Sequence, residues 1–166
     1  MDGGRAVGIQ DLAADIIESG SRGLTLSGGD PFAQADALAT LVAWLRSSID
    51  ISVMSYTGYT IEALLARRDT AQLRLLSLLD ILVDGPYVRS KHADLLWRGS
   101  SNQRILLLTD RHREELNSLD DRSAGIQAEA SADGSVRWIG VPTRPGFRED
   151  IEAAMLSKGV ALEVDS

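Results

Sequence analysis

One pattern constrains this chain more than any other: a short apolar run that stops abruptly in a polar, glycine-bearing turn, met three times with helical periodicity in between. Leu24-Thr25-Leu26-Ser27 runs into Gly28-Gly29-Asp30-Pro31. Ile51-Ser52-Val53-Met54-Ser55 runs into Tyr56-Thr57-Gly58-Tyr59, and Ile81-Leu82-Val83 into Asp84-Gly85-Pro86. Between the first two lies Ala33–Arg46, whose Ala37, Leu38, Leu41, Val42 and Leu45 form one stripe with Trp44 at its edge. Between the second and third lie a segment from Thr60, a candidate N-cap, to Arg67, and a helical stretch over Leu73–Leu79. A further helix over Gln10–Ser19 precedes the first strand, and Gly20 and Gly23 end it. Strands alternating with helices predict a parallel α/β sheet with right-handed crossovers. Continuous apolar strands predict a sheet covered on both faces.

Beyond Arg98 the pattern changes. Residues Gly99–Arg104 read as a polar loop and Ile105–Leu108 as a fourth strand. His112–Asp121 is charge-rich and partly helical. Ile126–Ala130 and Val136–Ile139 flank Asp133-Gly134, a hairpin turn signal. A helix over Arg148–Ser157 and a strand over Val160–Val164 complete the chain. The expected organisation is a core over 1–122 and a small α+β extension over 123–166. With 166 residues, 44% of them hydrophobic, the chain can bury a core without covalent staples.

Ligands of parallel α/β sheets bind where the strands end, which is where the three turns fall. Glycine brings a backbone close to a ligand, and Asp30 and Asp84 offer carboxylates to a cationic group, with Tyr56 and Tyr87 nearby. A small zwitterion or cation is the matching ligand; ordinary turn chemistry would use the same residue types. A phosphate does not fit, because no Walker lysine is present and Asp30 would repel it. Arg98, Asn102, Gln103 and Arg104 form the densest polar cluster, suited to a carboxylate or a protein loop, or simply to solvent. His92 and His112 sit among charged neighbours and read as surface residues. No Gly-x-Ser-x-Gly elbow occurs, so a hydrolase has no visible nucleophile–base pair. Trp44, Trp97 and Trp138 read as core or edge packing.

Charge and cysteine narrow the classes further. Seventeen basic against 24 acidic residues give a net charge of −7, which argues against nucleic acid and anionic membranes as partners. Neither a signal sequence nor a bilayer-length apolar run is visible, and a cytoplasmic location is expected. There is no cysteine and there are only two histidines, so thiolate zinc, iron–sulfur ligation, disulfides and an imidazole metal cage are excluded for these residues.

Leu24–Phe32 (LTLSGGDPF), Tyr56-Thr57-Gly58-Tyr59, Asp80–Pro86 (DILVDGP) and Arg98–Arg104 (RGSSNQR) stand in the order and spacing of radical S-adenosylmethionine activases. The chain resembles those that activate anaerobic ribonucleotide reductase and, more distantly, pyruvate formate-lyase. The likeness covers about Gly20 to Leu108; the stretch from Ser123 to Val164 resembles the extension of a single-cluster group. The resemblance implies a partial (β/α) barrel with S-adenosylmethionine across the strand ends. It assigns the methionine amino group to Gly28, Gly29 and Asp30, although the family usually carries Glu where Asp30 stands. Thr57, Gly58 and Asp84 would line the same cleft, and Arg98, Asn102, Gln103 and Arg104 would meet the partner or the methionine carboxylate. It further implies a [4Fe–4S] cluster, a 5′-deoxyadenosyl radical and a glycyl radical enzyme as protein partner. The family's three-cysteine loop and its first strand have no counterpart here, so reductive cleavage is not expected of the chain as it stands. The expectation is a truncated activase; the alternative is a short paralogue that binds S-adenosylmethionine or a protein without catalysis.

Overall fold

The computed structural model describes residues 6–123, 126–130, 136–140, 146–157 and 159. They fall into two compact units, drawn from the described parts of Gly4–Pro86 with Asn102–Leu119, and of Tyr87–Ser101 with Asp120–Ser166.

The first unit begins with helix α1 (Ile9–Glu18), then strand β1 (Gly23–Leu26), helix α2 (Ala35–Ser48) and strand β2 (Ser52–Tyr56). Helices α3 (Ile61–Arg67) and α4 (Thr70–Leu76) lead to strand β3 (Ile81–Asp84). The second unit holds a hairpin of β4 (His92–Leu95) and β5 (Arg98–Ser100). The chain re-enters the first unit at β6 (Arg104–Leu107) and α5 (Arg113–Asn117). It finishes in the second with β7 (Ile126–Ala130), β8 (Val136–Gly140) and α6 (Phe147–Ser157).

Local chemistry places the helix starts. The Thr60 hydroxyl accepts from Ala63 N at 3.3 Å and caps α3, as its position in the sequence predicts. Asp69 does the same for α4 through Gln72 N at 2.9 Å. Pro31 opens a 3-10 turn over Pro31–Gln34 that the helical pattern alone merged with α2.

The first unit carries a four-stranded sheet in the order β1-β2-β3-β6. β1, β2 and β3 are parallel, in register Leu24↔Val53 and Ser55↔Leu82, and β6 runs antiparallel to β3. The class is mixed α/β with a parallel sheet and helices, and the described strands form an open sheet rather than a closed barrel. Val53, Leu82, Val83, Leu45, Val42, Leu64 and Leu75 are all at most 1% exposed and make the core between sheet and helices. Only β3 is buried at every position; β2 alternates half-buried with buried residues, and β1 exposes Gly23 and Thr25. Full coverage of both faces therefore holds for β3 and fails toward the β1 side. Among the described residues β1 pairs with β2 alone.

The polar loop expected over Gly99–Arg104 holds in part: Ser101 and Asn102 form a turn, whereas Gly99 and Ser100 belong to β5, where Arg98 pairs with Leu95 and Ser100 with His92 in a hairpin, and Arg104 opens β6. The hairpin turns earlier, with Trp97 at φ 53°, a left-handed conformation that the sequence does not announce because neither glycine nor asparagine occupies it. β7 and β8 form the expected antiparallel hairpin. Its Asp133-Gly134 turn, the side chain of Trp138 and the Val160–Val164 strand lie outside the described residues. Among the described residues no helix is long and apolar enough to cross a membrane.

Candidate functional site

The three polar turns emerge side by side, because β1, β2 and β3 are parallel neighbours and each turn follows the C-terminal end of its strand. Thr57 N donates to Val83 O at 3.0 Å and Gly85 N to Tyr59 O at 2.9 Å, so the second and third turns are joined through their backbones.

Asp30 joins the first turn to the second. Its carboxylate accepts from Phe32 N at 3.0 Å, from Gly58 N at 2.9 Å, and from the Thr57 hydroxyl at 3.0 and 3.1 Å to its two oxygens. The hydroxyl has one hydrogen, so three donors occupy a group with about four acceptor sites. One acceptor position remains for an ammonium or similar donor. Beside it, Gly28 has φ 102°, and a Cβ built on Gly28 or Gly29 would find nothing within 4 Å. The two glycines thus form a bare backbone ledge next to a carboxylate held rigid by its own chain.

Asp84 plays a different part. It is fully buried and accepts from Ile61 N at 2.8 Å and from Arg104 Nε at 2.9 Å, with a second, very short contact to the other Arg104 nitrogen. Arg104 also holds Glu62 in a two-pronged ion pair at 2.8 and 3.0 Å. That hydrogen bonding holds the exposed Glu62 carboxyl down at about 2, and the bonds to Asp84 first and to Glu62 second raise the Arg104 guanidinium. Asn102 Nδ2 donates to Pro86 O at 2.7 Å and Gln103 Nε2 to Gly85 O at 3.2 Å. Gly85 has φ 98°, a left-handed conformation, so the turn needs glycine for its backbone, while a Cβ there would meet Asn102 O at an ordinary contact distance of 3.5 Å.

Of the sequence-predicted residues, the structure brings together Gly28, Gly29, Asp30, Thr57 and Gly58 at one place, and Asp84, Asn102, Gln103 and Arg104 around the adjoining β3 turn. Arg98 belongs to the second unit, where it pairs with Asp121 and lowers that carboxyl through a hydrogen bond. Tyr87 is also in the second unit, its hydroxyl 3.1 Å from His92 Nδ1. Tyr56 is half-buried, and burial raises its phenol. Glu62 and the Ile61 amide were not legible, since nothing in a helix start says which strand end it will face.

A [4Fe–4S] cluster does not fit this donor set. The chain has no thiolate, and among the described residues no group of three or more His, Asp or Glu is placed to hold a metal ion. Ligands for such a cluster would have to come from outside these 166 residues.

Against known proteins, the family model of the 4Fe-4S single cluster domain matches residues 5–106. Relatives named anaerobic ribonucleoside-triphosphate reductase-activating protein also match. That of Enterobacteria phage T4 is 34% identical over 105 residues, 61% of this chain and 64% of its own length. That of Pasteurella multocida is 38% identical over 61% of this chain and 64% of its own length. The Vibrio cholerae protein is 44% identical over 51% and 54% respectively. The chain spans less than two thirds of the curated relatives it matches. No solved structure matches it. Family match, named relatives and the arrangement of the turns agree: the chain belongs to the 4Fe-4S single cluster domain family, among the radical S-adenosylmethionine activases, while carrying no cysteine of its own.

Proposed function

We propose that this chain is the S-adenosylmethionine-holding part of an activase for anaerobic ribonucleotide reductase, an oxygen-sensitive glycyl radical enzyme of the cytoplasm. The observation that carries the reading is the Asp30 carboxylate, fixed by Phe32, Thr57 and Gly58 with one acceptor position left beside the bare Gly28-Gly29 ledge. An α-amino group is a charge-assisted donor that suits that position. The ledge lets the methionine chain lie against the backbone, where any Cβ would hold it off. Thr57 and Gly58 act by orienting Asp30. Asp84 acts through the β3 turn, which it clamps to α3 and Arg104. Asn102, Gln103 and Arg104 are proposed contacts for the methionine carboxylate or the partner, and Arg98, in the second unit, is a separate proposed contact for the partner. In this reading the open sheet is a portion of a partial (β/α) barrel, 1–122 is its core and 123–166 an appended extension. S-adenosylmethionine supplies, in such activases, a source of 5′-deoxyadenosyl radical. This chain's residues bind and orient it, and the absence of thiolates favours binding without cleavage.

Isothermal titration with S-adenosylmethionine tests the reading. Binding is expected, and Asp30→Ala should weaken it by about 1.5–3 kcal/mol, the value of a hydrogen bond to a charged group. Circular dichroism on the variant separates a lost ligand contact from a lost fold. An unchanged affinity in folded D30A would overturn the amino-group assignment. No binding at millimolar ligand to folded wild type would remove the site. Sedimentation with purified anaerobic ribonucleoside-triphosphate reductase reads the partner separately.

A further inference from the structure

At the opposite end of β2 from Thr57, Ser52 meets two residues from a segment 60 positions further along the chain. The Ser52 hydroxyl lies 2.6 Å from His112 Nε2, and His112 Nδ1 lies 2.5 Å from Glu115 Oε2. The imidazole is 22% exposed, in contrast to the surface position its charged neighbours suggest. From this geometry we propose that Ser52, His112 and Glu115 form a nucleophile, base and orienting carboxylate able to take an acyl group from a small ester.

The order of roles follows from donor chemistry. A carboxylate only accepts, so Glu115 selects the tautomer with hydrogen on Nδ1, which leaves Nε2 as an acceptor facing Ser52. That is the arrangement a hydroxyl nucleophile needs. In the step, Ser52 Oγ bonds to the ester carbonyl carbon while its proton passes to Nε2. The carbon–oxygen bond to the leaving alcohol then breaks, and that alcohol takes the proton from His112. The product is acyl-Ser52, which water can release by the same path in reverse.

Access comes from the neighbouring strand. Gly23 is the registered partner of Ser52 on β1, so a side chain there would stand on the same face of the sheet. Gly23 is exposed, its φ is not in the left-handed region, and a Cβ built on it meets nothing within 4 Å. The space beside Ser52 is therefore open for an acyl group of limited size. Two local amides are already engaged: Ser52 N donates to Arg22 O at 2.9 Å and Val53 N to Asp80 at 2.9 Å. Without an amide oxyanion hole, acylation in place of rapid turnover is the measurable event.

The folded chain is treated with a fluorophosphonate probe and, separately, with p-nitrophenyl acetate, and the adduct is located by mass spectrometry. One adduct on Ser52 is expected from each. Ser52→Ala should abolish it, and His112→Gln should slow it on the order of 100-fold, the scale of lost general-base help. Gly23→Leu keeps all three residues and should slow labelling by filling the open side; it also serves if His112→Gln loses its fold. Equal labelling rates in folded wild type and H112Q, labelling unaffected by G23L, or adducts scattered over exposed serines with none favoured would each overturn the proposal.

Discussion

Asp30 and Asp84 show how far residue type underdetermines role. Both follow a strand and precede a glycine or proline, and both suggest a carboxylate offered to a cation. Asp30 keeps an acceptor position beside an open ledge, whereas Asp84 is buried and its bonds go to Arg104 and Ile61 N. The difference was not legible, because the partners that set it, Gly58 for Asp30 and Ile61 and Arg104 for Asp84, come from 20 to 28 residues away. Glu62 gives this cluster an acid signature. Its hydrogen bonds to Arg104 lower the folded carboxyl from 4.5 to about 2. In acid the unfolded chain takes up that proton near 4.5 while the folded chain does not, so protons favour unfolding across the window. The stabilisation is whole above the unfolded value and is lost as pH falls toward 2. Urea midpoints measured from neutral pH downward should fall through this range, and Glu62→Gln should flatten part of the fall. An unaltered pH profile in E62Q would show that the ion pair contributes nothing measurable.

Among the elements, the helices and parallel strands follow their local signals, and the departures are turns. Thr60 and Asp69 cap α3 and α4 as short polar side chains do at helix starts. The β4–β5 hairpin escaped notice because Trp97 turns the chain with positive φ, a conformation for which Trp carries no signal. Arg68 ends α3 in the same region, at φ 54° and exposed to solvent. Glycine adopts that conformation without a Cβ penalty, and its gain is partly offset by a freer unfolded chain. Arg68→Gly is expected to stabilise the fold by roughly 0.5 kcal/mol, read as a rise in the urea midpoint at constant slope. A lower midpoint would mean that the Arg68 side chain contributes more than its backbone strain removes.

Over the whole molecule, a net charge of −7 opposes association, while the sheet order leaves β1 at an edge among the described residues. Unpaired strand edges invite pairing with another chain, and lysine is a residue that discourages it. Thr25 is exposed on β1, so Thr25→Lys tests which influence dominates. Light scattering at rising protein concentration should show less self-association in T25K than in wild type. Equal scattering would indicate that the edge takes no part.

The sequence determined the class of fold and the family, since apolar runs, helical period and turn residues are local properties that survive being read in one dimension. The four motifs marked the radical S-adenosylmethionine activases for the same reason. What only the tertiary structure decided is which side chains satisfy one another: Asp30 with Thr57 and Gly58, Asp84 with Arg104, and Ser52 with His112 across 60 positions of chain. Hydrogen bonds and ion pairs act over about 3 Å, and which groups come that close is fixed by strand order and register, which no single segment encodes.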